Sequence, residues 1–174
     1  MQLTITALGN KSTRFITEIL SAISSCKCTV LELRSSNLAH TTASYLLVDG
    51  NWNHIAKLES LLDSLQKQLE IQVNTARPES NSKKVDGIPY TIEAISLDHL
   101  NVVEDIIAFL FERNICIEEI NASNYQTPYT QNPIFSTKIT LLIPAEVRLL
   151  LFREEFLDFC DNLNIDAMIE PTRR

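Results

Sequence analysis

Apolar residues recur along this chain with two alternating periods. Leu3, Ile5 and Ala7 interleave with Thr4 and Thr6, the spacing of a strand with one buried face. Ile16, Ile19, Leu20 and Ile23 then share one face of a helix, for which Ser12 or Thr13 is the candidate N-cap. TVLEL at 29–33 begins a second strand and ASYLLV at 43–48 forms a third. Asn51 is the candidate cap of a second helix, with Trp52, Ile55, Leu58, Leu62 and Leu65 as its predicted buried stripe. LEIQV at 69–73 closes the series as a fourth strand.

The pattern then starts again. LTITAL at 3–8 matches YTIEAI at 90–95, and the offset of 87 holds without a gap to Asn37 and Asn124, with seven identities in 35 positions. Unrelated segments would give roughly two. Phe15, Ile16, Ile19, Leu20 and Ile23 face Val102, Val103, Ile106, Ile107 and Leu110. Beyond the second strand the apolar pattern suggests an offset of 95, matching Leu46-Leu47-Val48 to Leu141-Leu142-Ile143, with about eight extra residues in the second copy. The second series is predicted as IPYTIEAIS, NVVEDIIAFLF, ICIEEI, STKITLLI, AEVRLLLFREEFLDFC and IDAMIE, with Asp98 as the candidate cap of its first helix.

Strand, helix, strand, strand, helix, strand is a ferredoxin-like unit: a four-stranded antiparallel sheet with two helices on one face. The fold class expected is therefore α+β, with two such βαββαβ units in tandem. TARPESNSKKVDG, rich in proline, serine and charge, separates them. The expected organisation is a first domain over 1–75, a linker over 76–87 and a second domain over 88–174. A unit this small buries only about 60% of its unfolded surface. Its bare sheet face and edge strands invite pairing with the sister copy or with another chain, and a homodimer is expected. Leu149, Leu150, Leu151 and Phe152 in succession make the last helix apolar on more than one side, which predicts a second contact there.

Composition narrows the function. The chain has 174 residues, 45% of them hydrophobic, and a net charge of −7. An acidic surface argues against direct contact with nucleic acid, because phosphate neutralisation needs lysine and arginine. No apolar run approaches the roughly 18 residues of a membrane span, and MQLTITALG lacks the pattern of a signal peptide, so the expected location is cytoplasmic.

The four cysteines are Cys26, Cys28, Cys116 and Cys160. Cys26-Lys27-Cys28 has the look of a metal or redox pair, but the repeat sets Cys28 against Ile115 and so predicts a buried apolar slot. A metal would need two more ligands, and His40, His54 and His99 are scattered singly. Neither a metal nor a cofactor is expected. The carboxylate pairs Glu118-Glu119 and Glu154-Glu155 read as a strand position shared with Glu32 and as a solvated helix face. His99 beside Asp98 reads first as part of a capping turn, with an acid–base pair as the alternative. No nucleotide-binding or nucleophile motif is present, and an enzyme is not expected.

Tandem βαββαβ modules joined by a short linker resemble paired ACT domains, the amino-acid-sensing modules of metabolic regulators. More narrowly, ITALG at 5–9, SSCKC at 24–28, WNHIAKLE at 52–59 and TARP at 75–78 resemble the glycine cleavage system transcriptional repressor family. That resemblance implies a two-ACT regulator without a DNA-binding domain, which binds a LysR-type activator and is relieved by glycine. An allosteric subunit of an amino-acid biosynthetic enzyme, such as acetolactate synthase, is the alternative. The resemblance places amino-acid binding at the loop after the first strand of each copy: Gly9, Asn10, Lys11, Ser12, Thr13 and Arg14, and Asp98, His99, Leu100 and Asn101. The family's Asp-x-Pro-Gly at this loop is here Lys11, Ser12, Thr13 and Arg14; the second copy keeps Asp98 but has Leu100 and Asn101. Thr29 and Cys116 replace its asparagine at the second strand. Either Lys11 or Arg14 neutralises a ligand carboxylate, or Arg14 fills the old pocket.

Overall fold

The computed structural model describes residues 1–78, 86–97, 101–126 and 133–172. It divides into two compact units, Met1–Ser82 and Lys83–Arg174. In the first, strand β1 (Gln2–Asn10) leads through a single 3-10 turn (Lys11–Thr13) into helix α1 (Phe15–Ser25). Strands β2 (Thr29–Leu38) and β3 (Thr41–Asp49), helix α2 (Trp52–Leu69) and strand β4 (Gln72–Ala76) follow. The second unit comprises β5 (Ile88–Ser96), α3 (Val102–Glu112), β6 (Cys116–Gln126), β7 (Pro133–Ile143), α4 (Leu149–Asn162) and β8 (Asp166–Pro171). Each sheet is antiparallel, in the orders β2-β3-β1-β4 and β6-β7-β5-β8. The α+β, doubled ferredoxin-like architecture is as the pattern predicts.

Period-two alternation selects the core. Leu3 and Ile5 of β1 and Leu46 and Val48 of β3 point to the helices, where Phe15, Ile19 and Ile23 of α1 and Ile55, Leu58 and Leu62 of α2 meet them. The second unit repeats this with Ile92, Ile139 and Leu141 under Ile106, Leu110, Phe152 and Phe156. Each such fully buried side chain contributes about 1.5–3 kcal/mol relative to exposure.

The two copies correspond down to their irregularities. Both second strands carry a bulge, at Val30/Glu32 and at Ile117/Glu119. Arg14 and Lys27 have left-handed backbones, and so do Asn101 and Asn114, their partners at the same offset. The amide of Cys28 donates to the Ile23 carbonyl as that of Ile115 does to Leu110.

Several expectations are corrected. Ile5 pairs with Leu46 and Ile92 with Ile139, so the third strands correspond at an offset of 93, not 95, and the second copy carries six extra residues there. An even slip leaves the inward and outward alternation intact, so apolar pattern alone cannot detect it. Neither Ser12 nor Thr13 caps α1; the residue before the helix is Arg14, which makes no side-chain cap. Asp98 lies outside the described residues. Asn51 does cap α2, its Oδ1 accepting from the His54 amide at 2.9 Å, but Trp52 in the first turn is 62% exposed. Leu69 still belongs to α2, and β4 runs on through Thr75 and Ala76, because the chain leaves the helix through left-handed Glu70. Helix α4 begins at Leu149 and not at Ala145, and Leu150 on it is 77% exposed. In Cys26-Lys27-Cys28 it is Cys26 that is buried, while Cys28 is half-buried with its sulfur against Gly50.

Candidate functional site

The loop between β1 and α1 gathers all six residues proposed from the first copy. Asn10 organises it: its Oδ1 accepts from the Ser12 amide at 3.0 Å and the Ser12 hydroxyl at 2.8 Å. Such an Asx turn holds the chain in the Lys11–Thr13 turn without a longer helix. The Lys11 amide donates to the His40 carbonyl at 2.9 Å, tying the loop to the β2–β3 hairpin. His40 is therefore a neighbour of the loop, which sequence spacing did not reveal because the tie is made by backbone and not by its ring.

Beneath the loop the space is taken. A Cβ on Gly9 would lie 2.7 Å from Cγ2 of Ile71 and 2.9 Å from the ring of Phe15. Phe15 and Ile71 are both buried. Arg14 is exposed, so it is Phe15 and not Arg14 that fills the volume under the turn. The backbone of Arg14 (φ 37°, ψ 31°) still has the left-handed conformation that suits glycine. Arg14 thus occupies a turn shaped for glycine.

The charges lie outside this packed floor. Neither Lys11 nor Arg14 has a side-chain partner among the described residues. The first turn of α1 has no side-chain cap. Uncapped amides at a helix start and two exposed cations suit a carboxylate better than a cation.

In the second copy Ser96 stands at the place of Gly9 and Val102 at that of Phe15, a larger residue facing a smaller one. Ser96 and Val102 are buried, Leu97 is exposed, and Asn101 (φ 66°, ψ 0°) precedes α3 without a side-chain cap. Asp98, His99 and Leu100 lie outside the described residues, so only Asn101 of that set is placed. Thr137, at the place of Ser44, is fully buried with no hydrogen-bond partner for its hydroxyl among the described residues. Ser44 instead shares a 2.7 Å hydrogen bond with Ser35.

The remaining candidates resolve into local structure. Glu155 accepts from Arg113 Nε at 3.2 Å, and Glu119 accepts from Asn121 Nδ2 at 2.8 Å. All four cysteines are free thiols. Burial pushes the Cys160 thiol up to about 12, with the nearby Asp161 charge adding to the effect. Burial also raises Cys28, helped by Cys26 and Asp49, and raises Cys116, helped by Glu118. Raised thiols are poor nucleophiles and poor metal ligands at neutral pH. Among the described residues no set of three His, Cys, Asp or Glu side chains is placed to hold a metal. No helix among them is long and apolar enough to cross a membrane.

Residues 1–76 match the model of the ACT domain family. The first unit is thus similar to an ACT domain. Likeness to known proteins extends beyond it. The glycine cleavage system transcriptional repressor of Escherichia coli (strain K12) is 22% identical over 167 residues, covering 96% of this chain and 88% of that protein. The repressor of Shigella flexneri matches to the same extent. A crystal structure assigned as a glycine cleavage system transcriptional repressor has a TM-score of 0.77 at 20% identity, covering 99% of this chain and 98% of its own. One from Galdieria sulphuraria has a TM-score of 0.75 at 18% identity, with the same coverage. The ACT-like fold is thus shared along both units, and the resemblance to the repressor spans nearly the whole chain.

Proposed function

We propose that this protein is an amino-acid-responsive regulator, a repressor of the glycine cleavage system that acts by binding a LysR-type activator and not DNA. What carries the reading is a duplicated ACT-like fold whose likeness to the repressor runs over 96% of the chain. The net charge of −7 supports action through a protein, since a phosphate backbone would be repelled. The alternative of an acetolactate synthase subunit gains nothing from these likenesses.

In this reading the amino acid is held at Gly9–Arg14 and at the loop of Asp98–Asn101, its carboxylate meeting the start of α1 with Lys11 and Arg14. The space under Gly9 is filled by Phe15 and Ile71, so the ligand in this reading sits above the turn. A ligand that relieves repression must bind the free protein more tightly than the partner-bound one. Couplings of about 1–3 kcal/mol, or roughly 5- to 150-fold in affinity, are typical. Calorimetry with glycine against a panel of other amino acids is the direct test, together with co-purification of a LysR-type protein in the presence and absence of glycine. Glycine heat and a glycine-sensitive complex are expected. No complex under either condition would overturn the repressor reading.

A further inference from the structure

Helices α3 and α4 enclose a groove of about 540 Å³ in the second unit. Phe109 and Phe159 stack on its floor, with ring centres 4.7 Å apart and planes inclined by 30°. One cation is already seated there. The Arg113 guanidinium lies 3.6 Å from the Phe109 ring centre, with Nε donating to Glu155 at 3.2 Å and Nη1 to the Phe109 carbonyl at 3.2 Å. This groove therefore accommodates a guanidinium between an aromatic face and a carboxylate, the arrangement in which cation–π attraction and charge act together. Beside it, Asp105 of α3 and Asp158 of α4 line the same groove next to Phe159 and have no cationic partner among the described residues.

The first unit acts as an internal control. At the positions of Asp105, Phe109 and Arg113 its α1 carries Glu18, Ala22 and Cys26. At those of Glu155, Asp158 and Phe159 its α2 carries Leu61, Ser64 and Leu65. The same fold thus closes its helix pair without an aromatic floor, keeping one carboxylate, Glu18, of the three. Stability does not demand an aromatic floor with acidic walls.

We propose that the α3–α4 groove docks a lysine- or arginine-bearing segment of a partner protein, with Asp105 and Asp158 receiving its cations beside Phe159. The inference rests on the reading of this chain as a regulator that works through a protein. Charge complementarity selects the occupant: a basic protein segment is attracted, whereas nucleic acid would be repelled.

The full chain, isotopically labelled, is titrated with a short arginine-bearing peptide and with the matched glutamate peptide, and amide shifts are followed. Shifts confined to residues 105–113 and 155–162 are expected with the arginine peptide alone. Asp105→Asn together with Asp158→Asn should weaken that binding by about fivefold or more, and raised salt should do the same. Both substitutions keep side-chain size, at half-buried Asp105 and exposed Asp158, and circular dichroism checks the fold. Shifts spread over the acidic surface of both units, an equal response to the glutamate peptide, or full affinity in the double variant would overturn the proposal. The double variant is also tested against the co-purified LysR-type protein. A complex that survives it intact removes the groove and leaves the regulator reading standing. Peptide binding at the groove without glycine heat or any complex does the reverse.

Discussion

Gly9 lies against Phe15 so closely that a Cβ at the glycine would sit 2.9 Å from the ring. Its backbone is not left-handed, so the glycine is needed for space and not for conformation. Gly9→Ala is expected to cost about 1–3 kcal/mol, the usual result of overpacking. Urea denaturation followed by circular dichroism measures this as a lower midpoint with unchanged slope. An unchanged midpoint would mean that Phe15 and Ile71 yield freely and that the floor of the loop is soft.

Arg14 poses the opposite problem, a bulky residue on a left-handed backbone. Such a conformation costs roughly 1–2 kcal/mol for an ordinary L-residue. Glycine relieves it but loses part of the gain to the greater freedom of its unfolded chain. Arg14→Gly should therefore stabilise by about 0.5–1 kcal/mol, and Asn101→Gly by less, because asparagine tolerates this region. Thermal denaturation of the two variants tests the order. If Arg14 also meets a ligand carboxylate, the first variant gains stability while its glycine heat falls.

Ser44 and Thr137 occupy the same place in the two sheets and should respond with opposite signs. Ser44→Ala loses the hydrogen bond to Ser35 and should cost about 0.5–1.5 kcal/mol. Thr137→Val removes a buried hydroxyl that has no partner among the described residues, and should be neutral or stabilising by about 1 kcal/mol. Chemical denaturation of both variants decides. A destabilised Thr137→Val protein would show that the hydroxyl is bonded after all.

The thiols should separate by exposure. Cys28 and Cys116 are half-buried with raised pKa, so an aromatic disulfide reagent at pH 8 should modify them more slowly than a free cysteine. Cys26 and Cys160 are 2% and 1% exposed and should react only after denaturation. The pKa of Cys160, raised to about 12 in the fold, also has a stability consequence. The folded protein holds this proton more tightly than the unfolded chain, so the stabilisation is complete below the unfolded value near 9 and is lost as pH rises towards 12. Cys160→Ala should show a smaller decline over that window in pH-dependent denaturation.

Much of the architecture was legible because periodicity reports which face is buried. The interleaving of Leu3, Ile5 and Ala7, and its return in Tyr90, Ile92 and Ala94, was enough for the duplicated ferredoxin-like unit. Asn51 was legible as a cap because its hydrogen bond is local in sequence. Trp52 failed because a first-turn residue can satisfy the helical spacing and still lie beyond the edge of the sheet it would cover. The β3 and β7 correspondence failed by two residues because strand register repeats every second position. For the candidate loop, the family resemblance pointed to Gly9–Arg14, and Lys11 and Arg14 there suggested carboxylate chemistry. They did not show that Phe15 and Ile71 occupy the floor, since Ile71 reaches it from the far end of the unit.

By itself, then, the sequence determined a doubled α+β module, its order of elements and its acidic character. Tertiary structure alone decided the register of the third strands, the retained left-handed turn at Arg14 and the aromatic, acid-walled groove of α3 and α4. The reason is range: alternation and capping act over a few neighbouring residues, whereas a cavity, a close approach or a seated guanidinium depends on side chains from segments that only folding brings into contact.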